Sequence, residues 1–146
     1  MVDEGIAYAD RLPEAGETLV GKRFQMGFGG KGANQAVMAA RFGAPVAMVN
    51  AVGDDSYGAS HLENFKREGI DITWMRTVPG SSGVAPIWVD GAGVNRIIIV
   101  PGANDATEAA VAEAVRSVDY QHGEILVQMR VLKPVVHDDG ARPLGD

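Results

Sequence analysis

Apolar and polar positions along the chain follow a pattern that predicts helices and strands in alternation. Residues 33–42 carry small apolar side chains on nearly every side, which is typical of a helix buried over most of its surface, and Gly43 marks its end. Residues 46–52 form a short, mostly apolar run of the kind found in covered parallel strands. A second helix is predicted to follow and to reach Glu68, just before a stop signal at Gly69.

The start of this second helix is marked by two acidic residues. Asp55 or Ser56 can cap its first turn. Asp54 and Asp55 could instead form a catalytic carboxylate pair, but a helix dipole stabilises acids at this position, so turn and capping roles are favoured. The helix is expected to face inward through Ala59, Leu62 and Phe65.

A β-hairpin is predicted further along. Residues 84–90 and 95–100 are rich in β-forming side chains and are joined by a glycine-rich turn at 91–93. Pro86 places the first of these strands at a sheet edge or at a bulge. The hairpin, together with residues 18–26, indicates a small accessory sheet, whereas the β-α-β alternation elsewhere indicates an α/β sheet.

The chain beyond the hairpin continues the alternation. Asp105 and Glu108 resemble a capping box at the start of a helix, and residues 125–127 resemble a buried strand. The histidines are scattered without the spacing of metal ligands, so no metal site is predicted and surface or packing roles are assigned to His61, His122 and His137.

The most informative stretch is residues 29–36, which read GGKGANQA. Glycines let the backbone approach a ligand closely, and the first turn of a helix offers free N–H donors. Asn34 can donate to one hydroxyl and accept from another, while Lys31 adds a mobile ammonium. The segment therefore predicts a site for a polyhydroxyl ligand such as a sugar, although a tight turn ahead of a core helix explains the same glycines.

Two phosphate-binding interpretations fit this stretch poorly. A dinucleotide fingerprint needs a buried strand ahead of it and a G-x-G-x-x-G spacing, but residues 22–26 are too polar and the glycine spacing is wrong. A phosphate loop needs Ser or Thr after its lysine, and here Gly32 follows Lys31.

Composition narrows the classes of function. The 146 residues are 46% hydrophobic, enough for one domain with a real core. The formal net charge of −6 disfavours nucleic acid as a partner. The absence of cysteine rules out disulfides and thiolate chemistry and agrees with a cytoplasmic location. No stretch approaches membrane-spanning length, and the first residues do not resemble an export signal.

Five segments together resemble the ribokinase branch of the PfkB-type carbohydrate kinases. They are LPEAGET at 12–18, GGKGANQA at 29–36, VGDDSYG at 52–58, SGVA at 82–85 and GAN at 102–104. The resemblance covers roughly residues 3–128. It implies an incomplete ribokinase-like, Rossmann-like layered α/β/α domain at residues 1–130, with lid strands from about 6–27 and 83–100 and a divergent, flexible tail at 131–146.

The resemblance also implies the substrate-binding residues. Gly30, Lys31 and Asn34 match sugar-contacting positions of the family. Asp3 matches the acid that follows the family's first strand and binds sugar hydroxyls, and the neighbouring Glu4 is the alternative. Lys31 could also be a solvated surface lysine, and Asn34 could also cap the helix.

The implied activity is ATP-dependent phosphorylation of a pentose such as D-ribose, with Mg²⁺ and, in many relatives, a monovalent cation. In the family the catalytic aspartate closes a D-[TS]-x-G-A-G-D motif, whose helix N-terminus also forms the anion hole, and this motif and the nucleotide site would lie beyond residue 146. Arg130 stands where a sugar-binding acid is usual. We therefore expect a truncated chain that is inactive as a kinase when isolated. The alternatives are a non-catalytic sugar-binding module and an interaction module.

The expected partners are a small sugar and a second copy of the chain. The resemblance implies a homodimer formed through the lid sheet. The missing first strand and C-terminal half would expose apolar surface and strand edges, so marginal stability or self-association is expected as well.

Overall fold

A computed structural model of the chain describes residues 1–110. The predictions for residues 125–127 and for the tail at 131–146 lie outside this range. Strands and helices alternate as the α/β pattern predicts, in the order β1 (Val2–Tyr8), β2 (Arg23–Gly29), α1 (Lys31–Arg41), β3 (Asn50–Gly53), α2 (Ser56–Arg67), β4 (Met75–Val78), β5 (Val84–Val89), β6 (Asn95–Ile97) and a 3₁₀ turn (Gly102–Ala106).

The strands form two separate sheets. The larger sheet has the order β2-β1-β5-β6, with β1 antiparallel to β2, parallel to β5, and β5 antiparallel to β6. The smaller sheet pairs β3 with β4 in parallel. In the larger sheet Glu4 stands opposite Gly27 on one side and Ala85 on the other. Because side chains alternate between faces, this register decides which residues of β1 share a face with which neighbours.

The predicted hairpin is confirmed as β5 and β6, but β5 is an interior strand, so the expected edge position of Pro86 is wrong. The ladder is interrupted opposite Pro86: the Ile98 N–H donates to the Pro86 carbonyl at 3.1 Å, and proline has no N–H to return the bond. The same register resumes at the bridge between Val84 and Val100.

The ends of both helices are set by local backbone features. Asp55 is the N-cap of α2 and accepts a hydrogen bond from the Gly58 N–H at 2.8 Å, as predicted. Gly43 and Gly69, after α1 and α2, have φ angles of 85° and 74°, which glycine adopts easily. The predicted capping box at Asp105 is wrong, because the helical turn already begins at Gly102.

Core packing brings α1 and α2 together around Ala33, Ala36, Phe65 and Ile70. The inward face of α2 is rotated from the predicted one, since Ala59 is exposed and His61 is only 1% exposed. The predicted strand at 46–52 is also shorter: regular pairing starts only at β3, and before it Ala47 forms a single bridge with Asp71.

Within residues 1–110 the longest helices are too short and too polar to cross a lipid bilayer.

Candidate functional site

A cleft of about 720 Å³ lies between the larger sheet and the start of α1. One wall is the sheet face formed by Val2, Glu4, Ala85, Ile87, Ile97 and Ile99, and the other is the first turn of α1. The 3₁₀ turn and the residues after it close one end. Its volume is in the usual range for small-molecule sites.

The first turn of α1 presents backbone donors at this cleft. Gly30 is the N-cap with φ 96°, and a Cβ there would lie 2.9 Å from the Cα of Met1, so glycine is required on both counts. No side chain among residues 1–110 caps the helix. The first intrahelical bond runs from the Asn34 N–H to the Gly30 carbonyl at 2.9 Å, so the N–H groups of residues 31–33 have no partner within the helix.

The side chains of Lys31 and Asn34 both line the cleft and both are solvent-exposed. Since Gly30 is the N-cap, Asn34 lies inside the first turn and does not cap the helix. Within the described part of the chain, the Asn34 amide makes no side-chain hydrogen bond, so its donor and acceptor remain available to a ligand.

Strand alternation separates the two candidate acids of β1. Glu4 is on the sheet face that lines the cleft, together with Ala85 and Ile87. Asp3 is on the opposite face, is 6% exposed and does not line the cleft. Of the four predicted site residues, the structure therefore brings together Gly30, Lys31 and Asn34, while Asp3 is replaced at the cleft by Glu4.

Asp3 instead contacts His61 of α2 behind the sheet. Asp3 Oδ2 and His61 Nε2 are 3.0 Å apart, and the imidazole lies between Phe28 and Phe65, with ring centroids at 5.0 and 6.2 Å. Within residues 1–110, neither ring nitrogen of His61 has a well-aligned hydrogen bond. The assigned packing role of His61 is confirmed by this burial.

Burial shifts both groups of this pair away from their charged forms. Desolvation, with a smaller effect of Asp55, raises the pKa of Asp3 from 3.8 to about 6. Desolvation, with a smaller effect of the terminal amino group, lowers the pKa of His61 from 6.5 to about 4. At neutral pH the imidazole is therefore uncharged and the carboxyl group is ionised.

Asp55 and Ser82 tie the start of α2 to the strand that forms the cleft wall. The Ser82 hydroxyl and N–H donate to the Asp55 carboxylate at 2.7 and 2.8 Å, and the hydroxyl accepts from the Gly53 N–H at 3.0 Å. Burial opposes ionisation of Asp55, but these hydrogen bonds outweigh it and lower its pKa. The network fixes Ser82 two residues before β5.

Asn104 links the 3₁₀ turn to the beginning of β1. Its side-chain oxygen accepts from the Met1 nitrogen at 2.6 Å, and its Nδ2 donates to the carbonyls of Met1 and Pro101 at 2.6 and 2.8 Å. Sequence reasoning singled out this asparagine only as part of the GAN motif. Its role depends on a contact across 103 positions, which no local pattern indicates.

The charges around the cleft are mostly negative. Among the described residues that line it, Glu4, Asp105 and Glu108 carry carboxylates, and Lys31 and the amino group of Met1 carry the opposing charge. Among residues 1–110 no three His, Cys, Asp or Glu side chains come together as a potential metal site.

Comparison with known proteins decides the family. The model of the pfkB family carbohydrate kinases matches residues 1–138. The chain belongs to this family. Ribokinase from Bacillus subtilis is 43% identical over 138 residues, which cover 91% of this chain and 45% of that relative. Mouse ribokinase and Salmonella typhi deoxyribokinase are 47% and 46% identical over 100 residues, 68% of this chain and 31% and 33% of the relatives.

Solved structures confirm the ribokinase-like fold. Ribokinase from Giardia lamblia superposes with a TM-score of 0.70 at 30% identity, over 79% of this chain and 36% of its own. Ribokinase from Arabidopsis thaliana, solved in complex with ribose and ATP, gives 0.65 at 35% identity, over 70% and 34%. The chain thus spans less than half the length of the relatives it matches.

Proposed function

We propose that this chain is the substrate-binding part of a sugar kinase that transfers phosphate from ATP to a pentose such as D-ribose. Support for the reaction comes from relatives named ribokinase and deoxyribokinase. Support for the ligands comes from the Arabidopsis ribokinase, which was solved with ribose and ATP. We place the protein in the cytoplasm as part of the same proposal.

The observation that carries the proposal is the composition of the cleft. Glu4, Lys31 and Asn34 put a carboxylate, an ammonium and an amide at one cavity, beside the N–H groups of the first turn of α1 that have no partner within the helix. Ile87, Ile97 and Ile99 supply apolar surface on the same sheet face as Glu4, across the cleft from the first turn of α1. A sugar has hydroxyl groups at its edges and C–H groups on its ring, and it would match both surfaces.

We propose Glu4, in place of Asp3, as the acid that accepts hydrogen bonds from sugar hydroxyls. Glu4 belongs to the cleft wall, whereas the Asp3 carboxylate contacts His61 behind the sheet. Gly30, Lys31 and Asn34 keep the sugar-binding roles that the sequence predicts. A carboxylate accepts from a hydroxyl more strongly than a neutral oxygen does, so Glu4 would contribute much of the orientation.

The same charges favour an uncharged sugar over a sugar phosphate. Three carboxylates of the described residues line the cleft, against the ammonium of Lys31 and the amino group of Met1, and a ligand phosphate would be repelled by Glu4, Asp105 and Glu108. In the complete reaction ATP would supply the phosphoryl group. The residues described here would bind and orient the acceptor, and we assign none of them to ATP, Mg²⁺ or a monovalent cation.

We further propose a homodimer that pairs through the back of the larger sheet. This face, opposite the cleft, exposes apolar side chains, with Phe24, Met26 and Ile98 between 52% and 63% accessible. Exposed apolar area of this kind is typical of association surfaces. A lid-mediated pairing module that holds a sugar without phosphorylating it is the second candidate function, and the exposed face is the observation that favours it.

Calorimetric titration of the 146-residue chain with D-ribose tests the sugar site. Asn34→Ala removes one donor and one acceptor, each worth about 0.5–1.5 kcal/mol, so we expect affinity to fall about tenfold. Asn95→Ala is the matched control, because Asn95 is an exposed asparagine of β6 that does not line the cleft.

The outcomes separate the candidates. Saturable binding weakened by Asn34→Ala and unaffected by Asn95→Ala supports the sugar site. Equal affinity in both variants would show that Asn34 is not part of the sugar site. Heat signals that never saturate would show that the chain does not bind D-ribose. Ribose-dependent phosphate transfer from ATP by a longer protein that contains this chain supports the kinase, whereas ribose binding without transfer by such a protein favours the non-catalytic module.

A further inference from the structure

Glu4 lies directly over Gly29, the last residue of β2. A Cβ built on Gly29 would overlap Oε1 and Cδ of Glu4 and would lie 2.6 Å from its Cγ. Gly29 is buried, and its backbone is not in the left-handed region that excludes other residues. The space that a side chain would fill at Gly29 is therefore occupied by the Glu4 carboxylate.

The sheet register explains this contact. Glu4 is paired with Gly27, and Gly29 is the diagonal neighbour two residues further along β2. Diagonal neighbours on one face of an antiparallel pair are within reach of long side chains. Gly27 offers an internal comparison, because a Cβ built there meets no atom within 4 Å. Two glycines on one strand and one face thus differ in what fills the space above them.

We propose that Gly29 is a positioning residue for Glu4. Because Gly29 has no side chain, the Glu4 carboxylate can occupy the space above it and is directed into the cleft. The inference rests on the proposed sugar-binding role of Glu4, and it adds the reason why this strand must end in a glycine. Any side chain at position 29 displaces the carboxylate from the direction in which it would meet a sugar hydroxyl.

The substitution Gly29→Ala separates folding from ligand binding. The atoms that an added methyl group meets belong to the far end of a flexible side chain and not to the backbone, so Glu4 can rotate away while the sheet stays intact. Hydrogen bonds weaken steeply when the acceptor moves out of line. Gly29→Ala is therefore expected to fold normally and to bind sugar poorly.

The first measurement needs no ligand. The side-chain carboxyl ¹³C resonance of Glu4 is recorded by NMR in the unmodified chain, in Gly29→Ala and in Gly27→Ala, together with the denaturant midpoint of each. We expect the resonance to move in Gly29→Ala and to stay in place in Gly27→Ala, with similar midpoints for the two variants. An unmoved Glu4 resonance in Gly29→Ala overturns the positioning role of Gly29, and so does a denaturant midpoint of Gly29→Ala far below that of Gly27→Ala.

The second measurement is titration with D-ribose. Loss of a charge-assisted hydrogen bond predicts affinity about tenfold or more weaker in Gly29→Ala, with Gly27→Ala within about twofold of the unmodified chain. Equal affinity in the two variants overturns the inference. If the unmodified chain does not bind ribose, the proposed function fails, while the NMR comparison still decides whether Gly29 positions Glu4.

Discussion

Removing either member of the buried Asp3–His61 pair should reveal a pH dependence of stability that the intact pair hides. The raised pKa of Asp3 means that the folded chain binds this proton more tightly than the unfolded chain. Its contribution to stability is complete below pH 3.8 and is lost as pH rises to about 6. The lowered pKa of His61 acts in the opposite direction, with a contribution complete above pH 6.5 and lost as pH falls to about 4.

The two contributions are similar in size. One pKa unit corresponds to about 1.4 kcal/mol. The change from 3.8 to about 6 at Asp3, and from 6.5 to about 4 at His61, is therefore equivalent to about 3 kcal/mol for each group. Both side chains are less than 10% exposed, so solvent screening reduces these energies little. Between pH 4 and 6 the opposing slopes nearly cancel.

Single substitutions remove this cancellation. In Asp3→Asn the contribution of the carboxyl group, which falls with pH, is removed. The free energy of unfolding relative to that of the unmodified chain is therefore expected to rise by about 3 kcal/mol from pH 3.8 to about 6. In His61→Gln the contribution of the imidazole, which rises with pH, is removed, so the relative free energy of unfolding should fall by about 3 kcal/mol from about pH 4 to 6.5. The double variant should run parallel to the unmodified chain.

Urea denaturation at half-unit pH steps measures these differences. All other carboxyl groups are common to the four proteins, so subtracting the curve of the unmodified chain isolates the pair. Opposite slopes in the two single variants support the reasoning. Difference curves that are flat, or that slope in the same direction, would show that burial does not control the two pKa values.

Two further predictions concern the helix cap and the exposed sheet face. Asp55→Ala removes the N-cap of α2 and leaves Ser82, which is 2% exposed, without its acceptor, so we expect about 2 kcal/mol or more of lost stability in urea denaturation. A much smaller loss is expected for Asp54→Ala, because within residues 1–110 the Asp54 side chain accepts a single hydrogen bond, from the Gly80 N–H. Equal losses would contradict the capping network. Phe24→Lys places a charge on the back of the larger sheet and should shift the chain toward monomer in sedimentation velocity. Phe42→Lys, just after the end of α1, should not, although Phe42 is 84% exposed. An unchanged distribution for Phe24→Lys would rule out pairing through this face.

Features that depend on neighbours in the chain could be predicted from the sequence. Residues that are close together in the sequence indicate the cap at Asp55, the glycines that end both helices and the β5–β6 hairpin. The glycine-rich start of α1 was predicted for the same reason, because Gly30, Lys31 and Asn34 belong to one helical turn. The family itself was recognisable from the order and spacing of short motifs.

The assignment of the acid at the cleft needed the tertiary structure. Asp3 and Glu4 are adjacent and chemically similar, and a strand sends them to opposite faces. Which face borders the cleft depends on the parallel pairing of β1 with β5, about 80 residues away in the chain, since Glu4 is placed beside Ala85. No local pattern contains that register.

Other features were decided in the same way by long-range contacts. The buried face of α2 includes His61 because β1 and β2 bring Asp3 and Phe28 against it, whereas helical periodicity favoured Ala59. Asn104 donates a hydrogen bond to the Met1 carbonyl because the 3₁₀ turn folds back to the start of β1. Local propensities, motifs and caps were therefore determined by the sequence itself, while the faces that meet were decided by the pairing of distant strands, because a shift of one residue in a strand reverses every side chain.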